Sequence, residues 1–214
     1  MPKNTALYAD AIEENQGGEC SVHPLLAQRR SLRAFASRLV ESETMATLLE
    51  AARRAPSSMN EQPWSFIVAT HQHKSDFEHL LSCLLEFNVR WAQHAPVLLL
   101  SVARLTFASN GEPNRHAFYD VGQAIAGLTF QANSHGLSVC QMAGFDVQKA
   151  RHAFSIPLDH EPVSVAAIGY PGDPAGLPEK LRLKELTPQE RKSLEDFVFE
   201  SRWGQPALWT RETK

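Results

Sequence analysis

The stretch RAPSSMNEQPWSF, residues 54–66, joins a predicted helix to a predicted strand and is unusually polar for that position. Loops at such junctions often hold ligand contacts on a rigid scaffold. The side-chain amides of Asn60 and Gln62 both donate and accept hydrogen bonds, which suits a ligand edge that alternates acceptors and donors. A turn in which serine and asparagine bond the local backbone explains the same residues equally well.

Composition indicates an ordinary globular protein. The 214 residues are 43% hydrophobic and 21% charged, and the net charge is −3. A chain of this length buries a substantial core, and its balance of charge gives no general attraction to nucleic acid or anionic membrane. We therefore expect one domain at residues 21–214, preceded by a flexible polar arm at residues 1–20.

The cysteines and the N-terminal sequence favour a cytoplasmic location. Cys20, Cys83 and Cys140 are widely separated and form no C-x-x-C pattern, which argues against a disulfide framework. The first twenty residues also lack the apolar segment of a signal peptide. A soluble protein of the reducing cytosol is the expectation.

Apolar periodicity predicts alternating helices and strands, and hence a layered α+β domain. A helix is expected from a Ser42 cap to Ala55, because Pro56 disfavours helical geometry in the residue before it. Residues 171–186 are proline-rich and predicted to lie at the surface, and Thr187 is a candidate cap for a later segment. Further predictions are a short helix within 23–30, helices at 74–87, 115–134 and 146–154, and strands at 65–70, 95–103, 136–142 and 162–170.

The predicted helix at 115–134 contains Gly122 and Gly127. Glycine inside a helix costs about 1 kcal/mol relative to alanine. The pair therefore indicates that another backbone passes close to this helix.

The segment QRRSLRAF, residues 28–35, concentrates positive charge around a hydroxyl. If it is extended, Arg29, Ser31 and Arg33 point to one side. Guanidinium groups offer paired donors to a phosphate, so the segment is a candidate anion clamp. A solvated basic patch is the alternative.

Two further segments are weaker candidates. In QMAGFD, residues 141–146, Gly144 permits close approach of a ligand to backbone N–H groups and Asp146 can cap the next helix. A plain turn explains the same residues. Arg191 and Lys192 form a basic pair near the C-terminus, and such pairs are usually surface features.

Other chemistries lack their signatures. The sequence has no G-x-G-x-x-G, Walker A or G-x-S-x-G segment. His71 and His73 have strand spacing but no accompanying H-E-x-x-H or cysteine pair, so we expect no metal site. Phe87, Trp91 and Phe107 are expected in the core or an interface, and they are also candidates to line a substrate pocket.

Taken together, these segments resemble the FMN-dependent nitroreductase family. RRSLRAF resembles the family's N-terminal R-R-S-x-R-x-F signature, and APSSMNEQPWSFIV resembles its A-P-S-S-x-N-x-Q-P-W-x-F motif. YDVGQAIAGLTFQANSHGLSVCQMAGFD is similar to the central helix and the turn that follows it. PVSVAAIGYPGDP and RKSLEDFVF are similar to later family segments. One departure is QMAG, where some members carry P-x-E-G.

The resemblance implies a mostly antiparallel sheet flanked by helices, in an intertwined homodimer whose C-terminal segments embrace the partner. It also implies one FMN at each of two interface sites. By motif, Arg29, Arg30, Ser31 and Arg33 would hold the phosphate and ribityl chain, and Arg33 would also lie near the flavin N1/O2 edge. The remaining implied contacts are Pro56, Ser57, Ser58, Asn60 and Gln62 along the ring, Ala143 and Gly144 near N5, and Arg191 and Lys192 at the phosphate.

The implied activity is NAD(P)H-dependent reduction of nitroaromatics, quinones or similar small electrophiles through the flavin, without a protein nucleophile. Alternatives are a specialised member of the same family, such as a reductive dehalogenase or a flavin-cleaving enzyme, and a flavin-binding sensor without turnover. We expect no nucleic-acid or membrane partner.

Overall fold

The computed structural model describes residues 22–212, so the predicted arm at residues 1–20 lies outside the described part of the chain. Within that part, none of the helices has the length and apolarity needed to cross a membrane. The elements in chain order are α1 Pro24–Ala27, α2 Ser42–Arg53, β1 Trp64–Thr70, α3 Lys74–Leu81, α4 Glu86–Ala92, β2 Val97–Arg104, α5 Ala117–Ser134, β3 Ser138–Met142, α6 Val147–Ala153, β4 His160–Gly169 and α7 Glu179–Leu186.

The four strands form one antiparallel sheet in the order β1-β2-β4-β3. The central strand β2 is buried on both faces along almost its whole length, which explains its continuous apolar sequence VLLLSVA. The pairing runs from Trp64 opposite Ala103 to Thr70 opposite Val97, and β2 then pairs with β4. The predicted α+β class is confirmed.

Helices cover both faces of the sheet, so the protein has three layers. Side chains of α2 and α5 pack with Val97, Leu99 and Ile168 on one face. Side chains of α3, α4 and α6 pack with Leu98 and Leu100 on the other face. Alternate residues of each strand point to opposite faces, so the two cores share the strands but are separated by the sheet.

Close packing of α2 against α5 explains one of the two helical glycines. A methyl group built on Gly127 would lie 3.0 Å from the carbonyl oxygen of Ala51, whereas nothing lies within 4 Å of one built on Gly122. The predicted approach of another backbone is therefore confirmed at Gly127, and the neighbour is α2 of the same chain.

Three predicted helix boundaries were wrong. Ser42 is the first residue of α2 rather than its cap, since Glu41 occupies the capping position, and α2 ends at Arg53. The predicted helix at 74–87 is two helices separated by residues 82–85. That break has a tertiary cause, because Asp146 donates its backbone N–H to the Cys83 carbonyl (2.8 Å) and Leu84 bridges to Phe145.

The region after β4 also departs from expectation. The proline-rich segment contains α7, which starts after Pro178, and Thr187 caps the C-terminus of that helix instead of starting another. The later residues form short 3-10 turns and an isolated bridge between Phe199 and Pro206. Most of the segment is exposed, as its proline content predicted. The helix within it was not predicted, and it is held by tertiary contacts of α7.

The key contact of α7 is made by Glu185, which is 2% exposed. Its carboxylate accepts the backbone N–H groups of Arg33 (2.7 Å) and Ala34 (3.1 Å). These bonds fix residues 29–36, here called the strap, beside the start of β3. The other side of the strap is held by Ser138, whose hydroxyl accepts the Leu32 N–H at 3.3 Å.

We predict that Glu185→Gln destabilises the fold. A neutral amide offers only one oxygen, so one buried N–H of the strap loses its acceptor, at a cost of about 1–3 kcal/mol in the free energy of unfolding. Urea denaturation at fixed protein concentration measures this loss. Glu179→Gln, an exposed change on the same helix, is the control and should stay within about 0.5 kcal/mol; equal midpoints for the two variants would contradict the assigned role.

Candidate functional site

The loop that joins α2 to β1 holds several residues in a strained backbone conformation. Within residues 56–63, here called the motif loop, Met59, Asn60 and Gln62 have φ values of 55°, 55° and 52°. Non-glycine residues rarely adopt positive φ, and each costs of order 1–3 kcal/mol unless its surroundings compensate. Such strain is concentrated at functional sites. It therefore supports the prediction from the sequence that the motif loop contacts a ligand.

Three side chains hold the motif loop in place. Asp120 of α5, 2% exposed, accepts the Ser58 N–H at 3.0 Å. Ser57 accepts the Gln62 N–H at 3.0 Å. Glu61 accepts the Ala108 N–H at 2.6 Å, which ties the motif loop to residues 105–114. The loop conformation is thus fixed from three directions before any ligand arrives.

Of the residues of the loop that were predicted to contact a ligand, some are engaged in hydrogen bonds within the loop and others are exposed. Gln62 donates its amide to the Asn60 carbonyl at 3.2 Å, as in the turn interpretation. Asn60 and Met59 are exposed, and their side chains make no hydrogen bond within residues 22–212. Beside them an open pocket of about 370 Å³ is lined by Pro56, Ser57, Ser58, His116, Tyr119, Asp120 and Gln123.

The three arginines of the strap lie in different environments. Arg29 donates to the Ser31 hydroxyl at 3.2 Å, as expected for neighbours on one side of an extended segment. The Arg33 guanidinium lies over the Trp91 ring, 5.6 Å from its centroid. Arg30 instead donates to the carbonyls of Glu185 and, at 3.2 Å, of Thr187, so its guanidinium anchors the end of α7.

The cations of the strap gather around the middle of β3. Burial raises the pKa of the Cys140 thiol to about 11, and three nearby positive charges oppose that rise: Arg33, Arg29 and Lys184. The thiol is therefore neutral at physiological pH. The negative charge of Glu185 also acts on this thiol, and it raises the pKa. Lys184 of α7 was not predicted from the sequence as a member of this group of charges.

The predicted backbone donors lie at the far end of β3. Within the described residues, the N–H groups of Ala143 and Gly144 donate no hydrogen bond. The Gly144 carbonyl, in contrast, accepts from the Leu85 N–H at 3.0 Å and from the Asn88 side chain at 2.9 Å. Asp146 caps α6 through the Lys149 N–H at 2.9 Å, as predicted.

The three aromatic candidates for a substrate pocket lie in different environments. Phe87 is exposed and packs directly on Gly144, where an added methyl group would lie 2.5 Å from its ring. Trp91 is 2% exposed and belongs to the core. Its ring packs against the Arg33 guanidinium and does not line an open pocket. Phe107 is half-buried in the 105–114 loop, next to the motif loop.

The C-terminal basic pair lies beyond the end of α7. Arg191 donates to the carbonyls of Gln189 (3.4 Å) and Glu190 (3.0 Å), and Lys192 is exposed. Neither side chain contacts the strap in the hydrogen bonds of residues 22–212. Their assignment to the phosphate stays a prediction.

The predicted site residues therefore form two groups on opposite sides of the sheet. In the strap, Ala34 packs in the core of α3, α4 and α6. The residues flanking the motif loop, Ala55 and Trp64, pack in the core of α2 and α5. Along α5, the loop is held at Asp120 and the strap lies beyond Ser134, about 20 Å away at ~1.5 Å per residue. One copy of the chain does not bring the groups together.

The residues that position the site were not predicted from the sequence. Glu185, Asn88 and Asp120 are buried polar side chains that bind backbone groups of the strap, the turn and the motif loop respectively. Asp120 had a recognisable signal, a charge in the first turn of an otherwise apolar helix. The other two bind backbone groups that are distant in sequence, Glu185 at Arg33 and Ala34 and Asn88 at Gly144.

Comparisons with known proteins identify the family of this fold. A model of the nitroreductase family matches residues 26–170. A solved structure of an oxidoreductase containing FMN superimposes with a TM-score of 0.83 at 32% identity, covering 89% of this chain and 97% of that one.

Two curated relatives are more distant. A 4-nitrobenzoate reductase from Nocardioides sp. is 28% identical over 192 residues, which cover 66% of this chain and 77% of the relative. Iodotyrosine deiodinase 1 from Sus scrofa is 25% identical over 183 residues, covering 73% of this chain and 63% of the deiodinase.

The family model covers well over half of the chain, and the FMN-containing structure shares both its fold and a third of its aligned sequence. This chain belongs to the nitroreductase family of oxidoreductases.

Proposed function

We propose that the protein is a homodimeric FMN-dependent oxidoreductase that uses NAD(P)H to reduce nitroaromatics, quinones or similar small electrophiles. The observation that carries the proposal is the distribution of donors along β3. Cations of the strap lie near Cys140 in the middle of β3, and just past the end of β3 lie the N–H groups of Ala143 and Gly144, which donate no hydrogen bond within residues 22–212. A ligand with an anionic tail and a polar ring system matches that order.

The chemistry of the donors fits FMN. Arg29 and Ser31 would hold the phosphate, because charged and hydroxyl donors suit its oxygens. Arg33 would lie toward the ring, where its charge favours negative charge on the N1/O2 edge. The N–H groups of Ala143 and Gly144 would face N5. When bound, FMN supplies the redox chemistry by taking hydride from a reduced nicotinamide and passing electrons to the acceptor.

A second copy of the chain would complete the site. Its motif loop would supply Pro56, Ser57, Ser58 and Asn60, which one chain cannot bring to its own strap. Exposed apolar residues support such an association, because large apolar side chains rarely remain in water. They lie on α5 and near the C-terminus: Phe118, Tyr119, Phe197, Trp203, Leu208 and Trp209.

A reductive dehalogenase is a second candidate, favoured by the similarity to iodotyrosine deiodinase 1. It would use the same flavin site and differ in the acceptor. The two candidates are separated by giving the reduced protein either a nitroaromatic or a halogenated phenol and measuring which one reoxidises it.

We predict that the purified protein is yellow and holds about one FMN per chain. Addition of NADH or NADPH without oxygen should bleach the flavin absorbance, and an acceptor should restore it. A folded, colourless protein that takes up no FMN would contradict the proposal. A yellow protein that neither nicotinamide bleaches would instead support a flavin-binding sensor.

We also predict that Arg29→Ala and Arg33→Ala weaken FMN binding. Each change removes a charge-assisted contact, which corresponds to roughly a tenfold to hundredfold rise in Kd. Quenching of FMN fluorescence measures the Kd. Arg53→Ala is the matched control, because Arg53 is an exposed arginine paired with Glu50 on α2. If the Arg29 and Arg33 variants bind FMN as tightly as that control, the phosphate assignment fails.

A further inference from the structure

Asn88 is a buried amide that uses both ends of its side chain. It is 6% exposed. Its Nδ2 donates to the Gly144 carbonyl at 2.9 Å, and its Oδ1 accepts from Trp91 Nε1 at 3.3 Å. A buried amide without partners is costly, so this pairing holds the side chain in one orientation. Asn88 therefore connects α4 rigidly to the turn after β3.

The turn is packed directly against α4. A methyl group built on Gly144 would lie 2.5 Å from Phe87 and 2.6 Å from Asn88 Nδ2, so a larger residue would displace these two side chains. The Leu85 N–H also donates to the Gly144 carbonyl, at 3.0 Å. Two donors hold this carbonyl against α4, which fixes the peptide plane between Gly144 and Phe145. The N–H of that plane, on Phe145, donates to the Ala143 carbonyl at 3.1 Å, and the Ala143 carbonyl shares its own plane with the Gly144 N–H, so the orientation of the Gly144 N–H is coupled to α4. Within residues 22–212, the N–H groups of Ala143 and Gly144 donate no hydrogen bond.

The other partner of Asn88 supports the cation. Trp91 lies one helical turn along α4, and its ring carries the Arg33 guanidinium at 5.6 Å. Phe35 stacks on the same indole, with centroids 6.4 Å apart and planes at 21°. The indole is thus immobile, and α4 touches both the proposed N5 donors and the proposed N1/O2 cation.

We propose that Asn88 is a positioning residue for the flavin reaction. Through the Gly144 carbonyl, and the Phe145 N–H that shares its peptide plane and donates to the Ala143 carbonyl, it sets the direction of the Gly144 N–H. Through Trp91 it holds that donor at a fixed distance from the Arg33 guanidinium. This inference rests on the proposed FMN function. In this inference, α4 holds the donors for two opposite edges of the flavin ring at fixed positions relative to each other.

The proposal predicts a loss of FMN affinity when the amide is removed. Asn88→Ala should raise the FMN Kd roughly tenfold, since the turn loses a buried hydrogen bond that orients its donors. Trp91→Phe, which keeps an aromatic ring but removes Nε1–H together with the rest of the pyrrole ring, should also raise the Kd, because Asn88 loses that partner and Arg33 loses part of the aromatic surface beneath it. The two changes should be non-additive when combined, because they interrupt one network.

The most specific test is Asn88→Asp, whose effect should depend on pH. Burial raises the pKa of the introduced carboxyl. Ionised, that group cannot donate to the Gly144 carbonyl, so FMN binds weakly. Protonated, it donates an O–H in place of the amide, so FMN affinity should return toward that of the wild type as pH falls through the raised pKa. A role limited to packing would not produce this pH-dependent rescue.

Gln93→Ala is the matched control. Gln93 follows α4, and its side-chain amide donates to the Arg90 carbonyl at 3.2 Å, within the same helix and away from the turn. Its FMN Kd should equal that of the wild type at every pH. Circular dichroism of each protein without FMN checks that the variants are folded.

The outcomes separate the inference from the proposed function. If the wild type binds FMN and the Asn88 variants bind it equally well, the inference is overturned while the function stands. If the wild type binds no FMN, the function itself fails. If Asn88→Ala does not fold, the pH dependence of the isosteric Asn88→Asp and the Kd of Trp91→Phe decide; unchanged affinity at all pH values in whichever of them folds overturns the inference.

Discussion

The buried β-sheet separates the two groups of side chains that the sequence assigns to one ligand. Its central strands are covered on both faces, with the strap and α4 in one layer and the motif loop with α5 in the other. Side chains on opposite faces of a packed sheet cannot reach across it. The proposed FMN site would therefore need a second copy of the chain, and the exposed apolar residues of α5 and the C-terminus would lie at the proposed interface.

Within each group, buried polar side chains fix the backbone rather than bind the ligand. Glu185 fixes the strap, Asn88 fixes the turn after β3, and Asp120 fixes the motif loop. Each is nearly inaccessible to water, where a hydrogen bond is strong and an unpaired group is costly. A site that holds a cofactor by backbone donors needs this kind of support, because a small rotation of a peptide group redirects its N–H.

Much of the fold and part of the site could be predicted from local sequence. The buried strand VLLLSVA and the periodic helix α5 were recognisable because a continuous apolar run and a 3.6-residue period report burial directly. The strained motif loop was marked by its polar composition. The break between α3 and α4 and the helix α7 could not be predicted, because residues far along the chain, Asp146 and the strap, determine them. For the same reason the sequence did not reveal Glu185 or Asn88.

The shared site is tested most directly by the FMN content of a mixed dimer. One chain would carry Arg29→Ala and Arg33→Ala, and a differently tagged chain would carry Ser57→Ala and Asn60→Ala. Each variant alone should lose FMN, because both of its sites contain a defective half. In the mixed dimer, one site combines the two intact halves, so about one FMN per pair of chains is expected. If the two variants restore no FMN when paired, or if each variant keeps FMN when alone, the result would contradict a site built from both copies.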